Sequence, residues 1–235
     1  MPVAIVTGAS RGLGLALARA LAQRGWDLVV DARGARGLEQ AAETLTAAGA
    51  GTVVAVPGDV ADELHRRQLV EAAGRLGRLD LLVNNASVLG PSPQPALADY
   101  PLPVLRDVVE VNVVAPLGLT QLALPLLEAS SGAVLNVTSD AAVEAYEGWG
   151  GYGASKAAFE QLSNVLAAEK PGIRVWWVDP GDMRTQMHQD AYPGEDISDR
   201  AAPEERVPGL LRLLDELRPS GRYRATDLVR EAVTA

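Results

Sequence analysis

Cysteine is absent from the 235 residues, and histidine occurs only at His65 and His188. The first absence removes disulfides, thiol nucleophiles, iron–sulfur clusters and cysteine zinc sites together. The second leaves too few imidazoles for a multi-histidine centre, so no metal site is expected. Positive charge is also scarce. Lys plus Arg is 21 against 30 for Asp plus Glu, a net charge of −9, which argues against a nucleic-acid footprint. Long apolar runs are missing, because Arg, Asp, Pro or Gly interrupts each before the ~20 residues of a membrane span. The stretch from Met1 to Gly8 lacks the basic segment of a secretory signal. These absences predict a soluble, cytoplasmic protein with no nucleic-acid or membrane partner. What is present supports a folded core: 48% of residues are hydrophobic and 22% charged. The length fits one domain, and no tandem repeat or low-complexity linker interrupts it.

Short β-rich runs alternate with Ala/Leu-rich stretches. Strands are predicted over 3–7, 27–32, 52–56, 79–84, 133–138 and 173–179, and helices over 13–24, 38–48, 61–76 and 153–169. A helical region over 105–128 contains Pro116 and Pro125, which predicts a kink or break. This alternation means an α/β fold, a doubly wound parallel sheet with helices on both faces. The tail is less regular. A mobile flap is expected within 182–206, a helix over 207–217 and a last strand over 222–228.

Between the first strand and helix lies Thr7-Gly8-Ala9-Ser10-Arg11-Gly12-Leu13-Gly14. Glycines there allow a sharp turn and bring a pyrophosphate close to a helix N-terminus, where free N–H groups favour an anion. The same residues match the G-x-S-x-G elbow of serine hydrolases, with Ser10 as nucleophile. Only His188 follows an acid in the required order, and it falls in the irregular tail.

Tyr152 and Lys156 are four residues apart, on one helix face. A neighbouring ammonium favours the phenolate, which predicts a lowered Tyr pKa and an acid/base suited to an alcohol or carbonyl oxygen. Lysine occurs only at 156 and 170 among 21 basic residues. Its retention at 156 suits a tunable ammonium, for which Arg is no equivalent. Ser139 ends a predicted strand, at the sheet edge where ligands bind in such folds.

The chain resembles the single-domain short-chain dehydrogenase/reductase family. The matching residues are Thr7-Gly8-x-x-x-Gly12-x-Gly14, Asp59-Val60, Asn84-Asn85-Ala86, Asn112, Asn136-Val137-x-Ser139, Tyr152-x-x-x-Lys156 and Pro180-Gly181-x-x-x-Thr185, in the family's order over roughly residues 3–185. The resemblance implies one Rossmann-like domain over 1–235 and hydride transfer between a nicotinamide cofactor and a small or medium carbonyl or alcohol. It implies Tyr152 as acid/base, Lys156 holding the nicotinamide ribose and lowering the Tyr pKa, and Ser139 orienting the reacting oxygen. Asn112 would help hold a water that relays protons behind Lys156. Gly8, Ser10, Arg11, Gly12, Leu13 and Gly14 would receive the pyrophosphate. Asp59 and Val60 would lie by the adenine, Asn85 and Ala86 along the cofactor floor, and Pro180, Gly181 and Thr185 at the nicotinamide side. Ordinary structural roles compete for several of these: a helix-interior polar residue for Asn112, a turn residue for Asp59 and a helix cap for Thr185.

The chain departs from the family at two places. Ser87 stands where glycine is usual after Asn-Asn-Ala, and the C-terminus lacks the frequent Asp-Gly-Gly ending. The NAD-selecting acid position at the end of the second strand is Ala32, followed by Arg33. Arg33 and Arg11 suit a 2′-phosphate, which points to NADP(H) over NAD. Asp31 is one residue early and is expected to face the other way. Trp149, Tyr146, Met183 and Met187 are candidates for an apolar substrate wall, and Glu144 and Glu147 for repelling anions. A non-catalytic dinucleotide sensor is the alternative reading, disfavoured by the intact Asn112, Ser139, Tyr152 and Lys156 set. The family pairs its long helices across a two-fold axis, so a homodimer or homotetramer is expected.

Overall fold

In the computed structural model, residues 1–234 are described, with side chains through Arg230. Ala235, the end of the expected 1–235 domain, lies outside the described residues. The strands are β1 (Val3–Val6), β2 (Asp27–Ala32), β3 (Val53–Pro57), β4 (Leu81–Asn84), β5 (Ala133–Val137), β6 (Arg174–Asp179) and β7 (Gly221–Arg224). The described residues form one seven-stranded sheet in the order β3-β2-β1-β4-β5-β6-β7, with every pairing parallel. The α-helices are α1 (Gly12–Gln23), α2 (Ala35–Ala47), α3 (Glu63–Arg75), α4 (Leu102–Val109), α5 (Ala115–Ser130), α6 (Gly150–Glu169), α7 (Gln186–Ala191), α8 (Val207–Asp215) and α9 (Ala225–Thr234). This is a single Rossmann-like α/β domain.

Parallel strands covered on both faces must be apolar on both, and these are. Trp176 and Trp177 are neighbours on β6 yet belong to opposite core layers. Leu17 and Leu21 of α1 and Leu210 of α8 pack with Trp176 on one side. Leu69 of α3 and Leu119 and Leu127 of α5 pack with Trp177 on the other. The chain leaves β1 toward β2 in one direction and returns to β4 in the other, which opens a crevice at the strand C-termini.

Three expectations change. Helix is continuous over Leu102–Ser130, with no break at Pro116. The turn before that proline, Glu110–Val114, widens into a π-helix, so the ladder is rearranged just where proline offers no N–H. By length and composition this stretch could cross a bilayer, contrary to the apolar-run reading. However, Leu119, Ala123 and Leu127 on its inner face are buried against the sheet, as in the core helix of a globular domain. The last strand ends at Arg224 rather than 228. Ala225 and Leu228, three apart, are both buried by helix α9 packing onto the α8 side of the sheet, a burial that an extended chain would divide between two faces.

Candidate active site

A cleft of about 1650 Å³ opens at the C-terminal ends of β1, β4, β5 and β6. Gly8, Ser10, Arg11, Gly12, Leu13, Arg33, Asp59, Val60, Asn85, Ala86, Ser139, Tyr152, Lys156, Pro180, Gly181 and Thr185 all line it. Gly14 and Asn112 lie behind its walls.

The glycine turn is shaped by close approach. Gly8 has φ +66, the left-handed region that disfavours a side chain. A Cβ on Gly14 would stand 2.5 Å from the Gly8 carbonyl oxygen. The Thr7 hydroxyl donates to the Val83 carbonyl and accepts the N–H groups of Asn85 and Ala86 at 2.9 and 3.0 Å. The Asn85 amide donates to the Thr7 carbonyl at 2.8 Å. Asn85 is therefore a clamp on the turn as well as part of the floor. Asn84 and Asn136, also in the family pattern, face the interior and form a buried chain through Thr120 and Ser163 that ties β4, β5, α5 and α6 together.

Asp31, expected to face the other way, lines the cleft at the end of β2. Its buried carboxylate accepts the Gly8 N–H and meets His65. No sequence spacing links these three residues, so only the fold reveals their contact. Arg33 is exposed at the end of β2 and Arg11 at the mouth of the turn. Neither forms a hydrogen bond or ion pair among the described residues. Asp59 accepts the Ala61 N–H in a local turn, and Thr185 caps α7 by accepting from the His188 N–H. The competing structural roles are thus real for both, although both still line the cleft. Ser10 has no imidazole partner among the described residues: His65 is bound to Asp31, and the His188 ring packs on Tyr192. The serine-hydrolase arrangement is not assembled.

Tyr152 is buried, with 7% exposure, and Lys156 is below it on α6. The Lys156 Nζ donates to the Val137 carbonyl at 2.9 Å and is 5.5 Å from the Tyr152 ring centre. Burial brings the ammonium down to about 8, opposed by the charge of Glu160. The sequence predicted a lowered Tyr152 pKa, and the structure reverses that direction. Burial pushes the phenol well up, and the negative charges of Asp140 and Asp179 push the same way. The hydroxyls of Ser87 and Ser139 act against them as hydrogen-bond groups on the phenol.

Ser139 donates to Asp140 Oδ1 at 3.0 Å, and Arg222 of β7 bonds its carbonyl at 3.2 Å while holding Glu160. The contacts of Asp140 and Arg222 with Ser139 were not foreseen in the sequence. Adjacency to Ser139 could have drawn attention to Asp140, but nothing in the chain order points to Arg222. Asn112, in the π turn, donates to the Val88 carbonyl and the Ser155 hydroxyl and accepts from the Val88 N–H and the Ser87 hydroxyl. Its amide has two donors and two acceptor sites, all used within the protein, and it ties the segment after β4 to α6.

Trp149 meets Tyr146, Tyr152 and Tyr192 edge-on or tilted, and with Met183 and Met187 it builds an apolar wall beside the phenol. Glu144 and Glu147 do not line the cleft, whereas Asp140 and Asp182 do. The 182–206 segment carries α7 and is joined across its base by the Arg184 N–H to the Ala201 carbonyl at 2.8 Å.

A phenol, a hydroxyl and a buried ammonium at one end of a glycine-lined cleft can exchange a proton with an oxygen of a bound molecule. Comparison with known proteins sets the chain beside dehydrogenases and reductases. The family model for short chain dehydrogenases matches residues 2–196. A rhamnolipids-biosynthesis 3-oxoacyl-[acyl-carrier-protein] reductase of Pseudomonas aeruginosa is 40% identical over 194 residues, covering 79% of this chain and 74% of that protein. Sepiapterin reductase of Mus musculus is 36% identical, covering 80% and 76%. A Shigella flexneri structure described as a short chain dehydrogenase complexed with NADP superposes with a TM-score of 0.89 at 31% identity, covering 96% of this chain and 97% of that one.

Proposed function

This chain belongs to the short-chain dehydrogenase/reductase family, and on that premise we propose that it is an NADPH-dependent reductase of small or medium neutral carbonyl compounds. The observation that carries the reading is the meeting of the Tyr152 phenol, the Ser139 hydroxyl and the Lys156 ammonium in one apolar corner of the cleft. Two relatives are named reductases, and a structural neighbour is complexed with NADP; both support it.

The residues suit that cofactor. The Gly8–Gly14 turn offers backbone N–H groups at the start of α1, a helix of 12 residues, and puts no side chain at Gly8, Gly12 or Gly14. Arg11 and Arg33 are unpaired cations beside it. Ala32 puts no carboxylate where one would repel a 2′-phosphate. Asp59 and Val60 would border the adenine, Asn85 and Ala86 the floor, and Pro180, Gly181 and Thr185 the nicotinamide, with Tyr152 and Lys156 at its ribose. When bound, NADPH supplies the hydride.

The protein's part is the proton. Burial holds Tyr152 in its neutral form, so it enters the reaction as an acid. It gives the phenolic hydrogen to the carbonyl oxygen, and the alcohol forms. Ser139 turns its hydrogen from Asp140 toward that same oxygen. Below about pH 8 Lys156 is charged, and its ammonium favours the phenolate left behind. Trp149, Met183 and Met187 receive the apolar part of the substrate, and Asp140 and Asp182 disfavour anionic ones. The exposed side chains of Leu102, Val114 and Val165 on α4, the π turn and α6 suit a homodimer or homotetramer, which light scattering at micromolar concentration would test.

A panel of ketones, aldehydes and quinones, followed by loss of nicotinamide absorbance with NADPH, tests the activity. Tyr152→Phe should abolish turnover and leave NADPH affinity near wild type. Wild-type turnover in that variant would overturn the mechanism. NADPH binding with no reduction of any panel member would mark a dinucleotide sensor instead.

A further inference from the structure

Resting on Ser139 as the hydroxyl that orients the substrate oxygen, we propose that Arg222 is a positioning residue for the reaction: reaching across from β7, it fixes the Ser139 backbone and so the place of that hydroxyl in the cleft. Arg222 lies outside the run of family motifs, which ends at Thr185.

Three consecutive residues at the end of β5 are each held by a different polar side chain. The Lys156 ammonium donates to the Val137 carbonyl at 2.9 Å. The Thr138 hydroxyl donates to Glu160 Oε1 at 2.8 Å. Arg222 Nη2 donates to the Ser139 carbonyl at 3.2 Å. Lys156 and Glu160 are four apart on α6 and share one face of that helix. Arg222 closes the series, because its Nε lies 2.9 and 3.1 Å from the two Glu160 oxygens. One rigid guanidinium plane therefore spans α6 and the residue after Thr138 through two of its nitrogens.

Ser139 needs such a tie. The Thr138 N–H still bonds the Val178 carbonyl of β6 at 2.9 Å, but from Ser139 onward the chain leaves the sheet for a 3₁₀ turn. The Ala142 N–H, three residues on, is the local partner of the Ser139 carbonyl, and Arg222 joins that carbonyl back to the sheet. Arg222 is itself anchored in strand register, opposite Trp177 of β6. A group held from a strand keeps its position better than one held from a loop. The same cation faces a second wall of the cleft. Asp179 Oδ2 is 3.9 Å from Arg222 Nη2, while Asp179 Oδ1 accepts the Gly181 N–H at 2.8 Å. Glu160 and Asp179 are both nearly buried, so the charge at 222 also keeps two carboxylates paired.

The test compares wild type with Arg222→Lys and Arg222→Met. Lysine keeps a charge for Glu160 and Asp179 but loses the two-nitrogen fork, so its fold should survive where that of the Met variant fails. Amide hydrogen exchange at Ala141 and Ala142, whose N–H groups bond Ser139, should quicken in Arg222→Lys, with exchange elsewhere and melting temperature near wild type. For the carbonyl compound of the panel that wild type reduces fastest, kcat with NADPH should fall roughly 10- to 100-fold, the scale of a misplaced group. KM and NADPH affinity should hardly move. In Ser139→Ala, adding Arg222→Lys should lower kcat no further. Wild-type kcat or wild-type exchange in Arg222→Lys overturns the role of Arg222. So does a kcat loss that multiplies with that of Ser139→Ala, or one matched by a general rise in exchange, which would make Arg222 a structural brace only. Wild-type kcat in Ser139→Ala overturns the proposed active site instead, whatever Arg222 does.

Discussion

The carboxylate of Asp31 accepts the backbone N–H of Gly8 at 2.7 Å, so the end of β2 props the glycine turn from behind. Its second oxygen stands 3.0 Å from His65 Nε2, and both side chains are sealed from solvent. Gly58 completes the arrangement, since a Cβ there would strike the His65 ring. The turn that would receive the pyrophosphate is thus held by a buried pair at the end of β2.

Asp31→Ala should cost on the order of 3 kcal/mol, because it leaves His65 buried without its partner and Gly8 without its acceptor. Asp31→Asn keeps an oxygen for the Gly8 N–H and should lose less. Urea unfolding measures both. An Ala variant with the wild-type midpoint would show that the pair holds nothing.

Arg33 governs the choice of cofactor. It is exposed and unpaired, so a 2′-phosphate gains a charge-assisted hydrogen bond there, about 1.5–3 kcal/mol. Arg33→Ala should weaken NADPH by roughly one to two decades and leave NADH nearly unchanged. Adding Ala32→Asp should turn the preference toward NADH, because the acid accepts ribose hydroxyls and repels phosphate. The wild-type preference should fall as salt rises. These ratios are read as kcat/KM for each cofactor. Equal losses for both cofactors in Arg33→Ala would make it an ordinary surface residue.

Lys156 should be a stability cost held for function. Burial brings its pKa to about 8 from the ordinary 10.5, so below pH 8 the fold carries a buried ammonium. The penalty is on the order of 3 kcal/mol there. It fades between pH 8 and 10.5, where the unfolded chain binds a proton that the native state has released. Lys156→Met should therefore raise the melting temperature at pH 7, lose that gain as pH approaches 10.5, and be inactive. Calorimetry across pH decides it; a gain that does not vary with pH would point to packing instead.

Tyr152, Lys156, Ser139 and the Gly8–Gly14 turn were legible in the chain because each is a local pattern: two residues on one helix turn, a polar residue ending an apolar run, glycines between a strand and a helix. The doubly wound sheet was legible for the same reason, since strands buried on both faces read as short, uniformly apolar runs. Period and spacing therefore determined which elements form and which end of the sheet holds the chemistry. Tertiary structure alone decided the rest, because long-range contacts leave no trace in local order. Residues 225–228 became helix through packing onto the α8 layer, and the π turn at Asn112 took up what read as a break at Pro116. The sign of the Tyr152 shift changed because desolvation and the charges of Asp140 and Asp179, brought from the ends of β5 and β6, exceed anything a lysine one turn away suggests. Asp31 met Gly8, and Ser87 met Asn112, only when the sheet brought them within hydrogen-bonding distance.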